Sequence, residues 1–178
     1  AAAMVACVKK ALRDKFKTEL KGKRVAVFGG TGVVAFASAV IAAMDGASST
    51  LIGYDGPDRV RKLAEEAKAR FGVDVGYADG STEEQKTELA RNADIIFSAG
   101  PAGRRLLTLD QLKQAKTLLV ATDVNAVPPA GVEGVESVLD VVELRRRGRH
   151  ALGDEPAGAL ERRQHRVERL GEPGGVRH

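Results

Sequence analysis

Arg24-Val25-Ala26-Val27-Phe28-Gly29-Gly30-Thr31-Gly32-Val33-Val34-Ala35 is the stretch on which the reading of the fold turns. Its first five residues form a short apolar run that reads as a strand buried on both faces. From Gly32 to Met44 the chain is dense in Ala and Val, as in a helix packed tightly on a sheet. Between strand and helix, Gly30-Thr31-Gly32-Val33-Val34-Ala35 spells G-x-G-x-x-A. In that motif Gly30 permits the sharp turn and Gly32 lets a pyrophosphate approach the backbone. Ala35 lets helix and strand pack closely. The helix N-terminus offers N–H groups and a favourable dipole to the phosphates. Any tight βα turn can carry such a motif, and the flanking strand and helix are the context it requires. Gly30, Thr31, Gly32, Val33 and Val34 are therefore the expected contacts of a dinucleotide. A Walker-type phosphate loop is excluded, because no Gly-Lys-Ser/Thr follows.

The alternation continues outward. Upstream, Val5, Val8, Leu12 and Phe16 recur at helical spacing over residues 1–18. Downstream, strands are expected at 50–53, 73–77, 94–97 and 117–120. Helices are expected from Pro57 to about Arg70, from a capping box at Ser81 and Glu84, and over 109–115. Strands alternating with helices of this length imply βαβ units and an α/β, Rossmann-type, doubly wound parallel sheet over residues 21–136.

Two further segments carry chemistry. The second strand ends in Gly53-Tyr54-Asp55, with Asp55 23 positions after Gly32. An acid at that distance bonds the ribose hydroxyls of NAD, whereas Arg or Lys there welcomes the 2′-phosphate of NADP. Tyr54 and Asp55 are thus candidate ribose contacts that lean towards NAD, although Asp-Gly is turn chemistry too. Arg59 or Arg61 remains available to a phosphate. The fourth strand ends in Ser98-Ala99-Gly100, whose small side chains leave space for the ribose and nicotinamide. Thr122-Asp123-Val124-Asn125-Ala126-Val127-Pro128-Pro129 then reads as a loop, polar beside a rigid diproline. It suits a site wall or an ordinary solvated loop.

Composition narrows the class. Of the 178 residues 43% are hydrophobic, but only 4% are aromatic, which favours α/β layers over a β-sandwich. Cys7 is the single cysteine, so there is no internal disulfide, and a small buried hydrophobe is the expected role. The net charge of +4 is spread evenly along the chain and lacks the clustering nucleic-acid binding needs. No apolar run is long enough to span a membrane, so a cytoplasmic protein is expected. After Lys116 lysine disappears, while nine arginines and all three histidines fall between Arg145 and His178. The histidine spacings of 15 and 13 residues match no metal-ligand pattern. Residues 137–178 are expected to be an Arg-rich, weakly structured tail, with at most a short helix near Leu160 to Leu170. Their composition suggests an altered reading frame or a non-native end.

These segments together resemble the methylenetetrahydromethanopterin dehydrogenases. The matching stretches are Lys21-Gly22-Lys23, Gly30-Thr31-Gly32, Arg70-Phe71, Phe97 to Gly100, and Asp123-x-Asn125-Ala126-x-Pro128-Pro129. The likeness covers roughly residues 1–136. It implies a substrate domain followed by a Rossmann domain, with the active site between. The substrate domain is expected to be missing here, and the helix over 1–20 to link to it, suiting subunit or interdomain packing in a homo-oligomer. The implied reaction is hydride transfer from a methylene-pterin to NAD or NADP. NADP-specific members place Arg where Tyr54 stands. Residues 1–136 hold no histidine and no evident acid–base pair. A methylene carbon between two nitrogens needs none, because their lone pairs stabilise the cation left behind. No catalytic proton carrier is expected, and Asp123 and Asn125 are the candidates for the nicotinamide and substrate side. The alternatives are a methylenetetrahydrofolate- or shikimate-type cofactor domain, and a non-catalytic NAD(H)-sensing module.

Overall fold

The computed structural model describes residues 1–124 and 128–135. Asn125 and the tail over 137–178, with the expectations placed on them, lie outside the described residues. The elements run α1 (Ala2–Phe16), β1 (Arg24–Phe28), α2 (Val33–Met44), β2 (Ser48–Gly53), α3 (Asp58–Phe71), β3 (Gly76–Asp79), α4 (Glu83–Arg91), β4 (Ile95–Ser98), α5 (Leu109–Gln114) and β5 (Val120–Asp123). The five strands form one parallel sheet in the order β3-β2-β1-β4-β5. Strand order reverses between β1 and β4, the switch point at which open α/β sheets bind ligands. The expected α/β doubly wound architecture is what the chain adopts.

Period-2 alternation divides the core into two layers. Val25 and Val27 of β1, with Ile95, Phe97 and Val120, face α1, α2 and α3. Ala26 and Phe28, with Ile52, Ile96 and Ala121, meet Ala90 of α4 and Leu112 of α5. The helix α1 buries Met4, Val5, Val8, Ala11 and Leu12, and it packs on α2 and β5. The apolar stripe that suited subunit or interdomain packing is therefore covered within its own sheet. Cys7 is only half-buried.

Of the boundaries that differ from expectation, three have a clear local reason. The α4 capping box is Thr82 with Gln85, not Ser81 with Glu84. The Gln85 N–H donates to the Thr82 hydroxyl at 3.2 Å, and the Thr82 N–H donates back to the Gln85 side chain at 3.0 Å. Gly72 ends α3 in the left-handed region at φ 69°, and pairing starts only where Gly76 meets Thr50. Finally, β5 starts and ends three residues later than the expected apolar run over 117–120. Thr122 and Asp123 continue the ladder opposite Phe97 and Ser98, because neighbouring strands satisfy their polar groups.

Candidate functional site

Register brings one row of residues to the carboxyl edge of the sheet. Ile52, Phe28, Ser98 and Asp123 stand opposite one another across β2, β1, β4 and β5. The loops leaving these strands form the walls of a crevice at the switch point.

Within the glycine turn the three glycines have different reasons. Gly29 holds φ at 81°, and a Cβ there would lie 2.5 Å from the Gly100 nitrogen and 2.6 Å from the Ala99 carbonyl carbon. It is therefore Gly29, not Gly30, that takes the left-handed conformation of the turn. A Cβ on Gly30 would come within 2.9 Å of the Ile52 nitrogen and of a Val60 methyl. Gly30 thus lets the turn settle onto β2 and α3, and its N–H donates to the Ile52 carbonyl at 3.1 Å. Gly32 is different: a Cβ would meet only Gly29 and Ala99 carbonyl oxygens at 3.5 Å, an ordinary contact. Nothing in the protein demands a glycine there.

Gly32 is also the N-cap of α2, in extended conformation, and no side chain caps that helix. The next residue, Val33, is 85% exposed. An uncapped helix start beside an open position is what a phosphate group requires, since it needs backbone N–H groups and no Cβ in the way. The turn therefore fits a dinucleotide on steric grounds independent of its sequence pattern.

The two walls differ. On the β2 side, Gly53 admits a close fold-back, for its Cβ would lie 2.1 Å from the Gly56 oxygen. Tyr54 and Asp55 are exposed on this turn. The Arg59 guanidinium donates to the Asp55 carboxylate at 3.0 Å, and Arg104 lies over the Tyr54 ring at 5.5 Å. Hydrogen bonds to Asp55 and Tyr54 hold the Arg59 guanidinium more firmly protonated than usual.

On the β5 side, Ser98 and Asp123 are fully buried. The Ser98 hydroxyl donates to Asp123 at 3.1 Å, and the Val132 N–H donates to the other carboxylate oxygen at 3.1 Å. Gly131 sits over this pair, where a Cβ would come within 2.8 Å of the Ser98 oxygen. Asp123 thus clasps the returning 131–132 backbone to the sheet and does not line an open loop. Ser98 faces this clasp; Ala99 and Gly100 are the half-buried residues that follow it. The smallness of Gly100 also serves packing, because a Cβ would strike Leu106 at 2.5 Å.

The structure therefore brings the turn residues, Tyr54-Asp55 and Ala99-Gly100 around one crevice, and sets Ser98 and Asp123 beneath it. Sequence reasoning missed Gly29, Arg104 and the Val132 clasp. A Gly29-Gly30 doublet after a strand was a signal for the first. The other two depend on contacts far along the chain. Among the described residues no cluster of His, Cys, Asp and Glu could hold a metal ion, and no helix is long and apolar enough to cross a membrane.

The chain is 54% identical over 135 residues to the NAD(P)-dependent methylenetetrahydromethanopterin dehydrogenase of Methylorubrum extorquens, covering 76% of this chain and 46% of that protein. The resemblance read from the sequence holds. A second protein of that organism, the bifunctional protein MdtA, is 32% identical over 167 residues, covering 94% of this chain and 56% of its own length. The chain thus spans about half the length of the curated relatives it matches. No family model matches. Among solved structures, shikimate 5-dehydrogenase from Listeria monocytogenes, in complex with shikimate and NAD, is similar at 19% identity and a TM-score of 0.41, over 55% of this chain and 34% of that one. Quinate dehydrogenase from Corynebacterium glutamicum, in complex with NAD, gives 20% and 0.42, over 57% and 34%. The fold rests on the sheet order itself, without them.

Proposed function

We propose that this chain is the cofactor-binding part of a cytoplasmic dehydrogenase of one-carbon (formaldehyde oxidation) metabolism. The reaction is oxidation at a carbon bonded to nitrogen: hydride leaves methylene-tetrahydromethanopterin for NAD or NADP, giving methenyl-tetrahydromethanopterin. The observation that carries the cofactor reading is Gly32, a position the fold leaves free for a side chain, at an uncapped helix start on the switch point. The substrate reading rests on the 54% identity to a protein bearing that name.

In this reading the backbone of Gly30, Thr31, Gly32, Val33 and Val34 holds the pyrophosphate, and Tyr54 and Asp55 meet the adenosine ribose. Ala99 and Gly100 leave room on the nicotinamide side. Ser98 works from below, as part of the clasp with Asp123. When bound, the nicotinamide ring supplies a two-electron hydride acceptor. The protein orients the reactants and excludes water, and no side chain carries a proton, since none is released at the reacting carbon. Asp123 is a positioning residue for the substrate side, holding the 131–132 backbone against the sheet. We expect the working protein to be a homo-oligomer.

The test is a fluorescence titration of the chain with NADH and NADPH, followed by methylene-tetrahydromethanopterin with the oxidised dinucleotide. Saturable but weak binding is expected from this chain alone, without turnover. Failure of both dinucleotides to bind at millimolar concentration overturns the cofactor reading. Turnover only with a folate or a hydroxy acid, in a protein of the relatives' full length, overturns the substrate.

A further inference from the structure

Across the crevice from Asp123, the turn after β2 meets the loop between β4 and α5. Phe28, Gly29, Gly53, Tyr54, Lys86 and Arg104 all face one small cleft there, of about 140 Å³. The charges around it are mostly answered. Lys86 is ion-paired with Glu83, Arg105 with Glu133 at 3.2 Å, and Arg59 with Asp55 at 3.0 Å. Arg104 is the exception: among the described residues no carboxylate pairs with it. Its guanidinium carbon instead lies 5.5 Å from the centre of the Tyr54 ring, within cation–π range.

A guanidinium laid on a ring keeps its N–H groups available, and those groups match phosphate oxygens in pairs. Tyr54 and Asp55 follow β2, where this fold receives the adenosine ribose. The cation without a carboxylate therefore stands beside the one sugar position that distinguishes NADP from NAD. Sequence spacing pointed to Arg59 or Arg61 for this task, but Arg59 is held by Asp55 and Arg61 by Asp58 at 3.1 Å.

Building on the cofactor reading above, we propose that Arg104 recognises the ribose 2′-phosphate of NADP from the β4–α5 loop, with Tyr54 as the platform that holds it there. NAD, lacking that phosphate, relies on Asp55. Acceptance of both dinucleotides then comes from two residues on opposite sides of one cleft.

The experiment measures dissociation constants of NADPH and NADH for the unaltered chain, Arg104→Ala, Arg104→Lys, Tyr54→Phe and Tyr54→Ala. Competition by adenosine 2′,5′-bisphosphate against 5′-AMP isolates the phosphate. Arg104 is exposed, so its loss leaves the core intact, and circular dichroism verifies this. Arg104→Ala should weaken NADPH by roughly 10-fold or more, the worth of a charged hydrogen bond, and NADH by less than about 3-fold. Arg104→Lys should fall between, Tyr54→Phe, which keeps the ring, should keep the ratio of the two constants, and Tyr54→Ala should lose most of the preference. If Arg104→Ala shifts both constants equally or neither, while the unaltered chain binds both, this assignment fails and the cofactor reading survives. If the unaltered chain binds neither dinucleotide, both fail.

Discussion

On the β2 side of the crevice, Tyr54 and Asp55 lie exposed and are answered by long cationic side chains, Arg104 and Arg59. On the β5 side, Asp123 is wholly buried and clasps Ser98 and the Val132 amide. Both walls put an aspartate near the end of a strand, yet the two carboxylates work in opposite regimes. The exposed one sits in water, where its pairing with Arg59 contributes little to stability. The buried one is indispensable to its neighbours, because a buried donor stripped of its acceptor costs its full desolvation. One wall is free to change its side chains at little cost to the fold, and the other is bound to the fold.

The glycine turn joins the walls and is the place to break the comparison hardest. Gly29→Ala must place a Cβ at φ 81° and 2.5 Å from backbone. It should destabilise the chain by about 3 kcal/mol or more, seen as a large fall in the denaturant midpoint. A midpoint within error of the unaltered chain would show that the turn adapts. Asp123→Ala comes next. It leaves the Ser98 hydroxyl and the Val132 N–H without their acceptor, at roughly 2–4 kcal/mol by the same measurement. Asp55→Ala should change stability by less than about 0.5 kcal/mol, and equal losses at the two aspartates would erase the distinction between the walls.

Gly32→Ala sharpens the contrast inside the turn itself. The Cβ fits at 3.5 Å from its neighbours, and alanine at an N-cap costs only about 1 kcal/mol. Dinucleotide affinity, in contrast, should fall at least about 10-fold, read by NADH titration of the folded variant. A stable variant with unchanged affinity would mean that the pyrophosphate does not lie on Gly32.

These differences mark the limit of what the sequence discloses. Strand–turn–helix alternation is local, so the order of elements, the parallel sheet and the G-x-G-x-x-A turn were legible. Tyr54-Asp55 was legible because one turn places it a fixed distance from Gly32. Asp123 was not, since its polarity reads as loop until register sets it opposite Ser98 and the 131–132 backbone returns over it. The role of Arg104 depends on a ring 50 residues away, a contact no periodicity encodes. Gly29 was obscured for a subtler reason: two adjacent glycines satisfy the same pattern, and only the backbone decides which one turns.

The last expected effect depends on pH and lies below the crevice, at the opposite end of β1 and β4. Arg24 there grips Asp94 with its N–H at 2.9 Å, its Nε at 3.1 Å and its Nη2 at 2.8 Å. Burial pushes the Asp94 carboxyl up, but the hydrogen bonds and charge of Arg24 outweigh it and hold the carboxyl below its usual range. A depressed carboxyl contributes stability above its unfolded pKa of about 3.9, and that contribution is lost as pH falls through the lower folded value. Asp94→Asn should therefore cost about 1 kcal/mol at neutral pH, and the gap to the unaltered chain should close as the pH drops below about 4. Urea midpoints taken across that range measure it, and a gap independent of pH would show that packing, not charge, makes the contact. NADH affinity should stay unchanged throughout, because this clamp fastens the same two strands as the glycine turn while standing far from either wall.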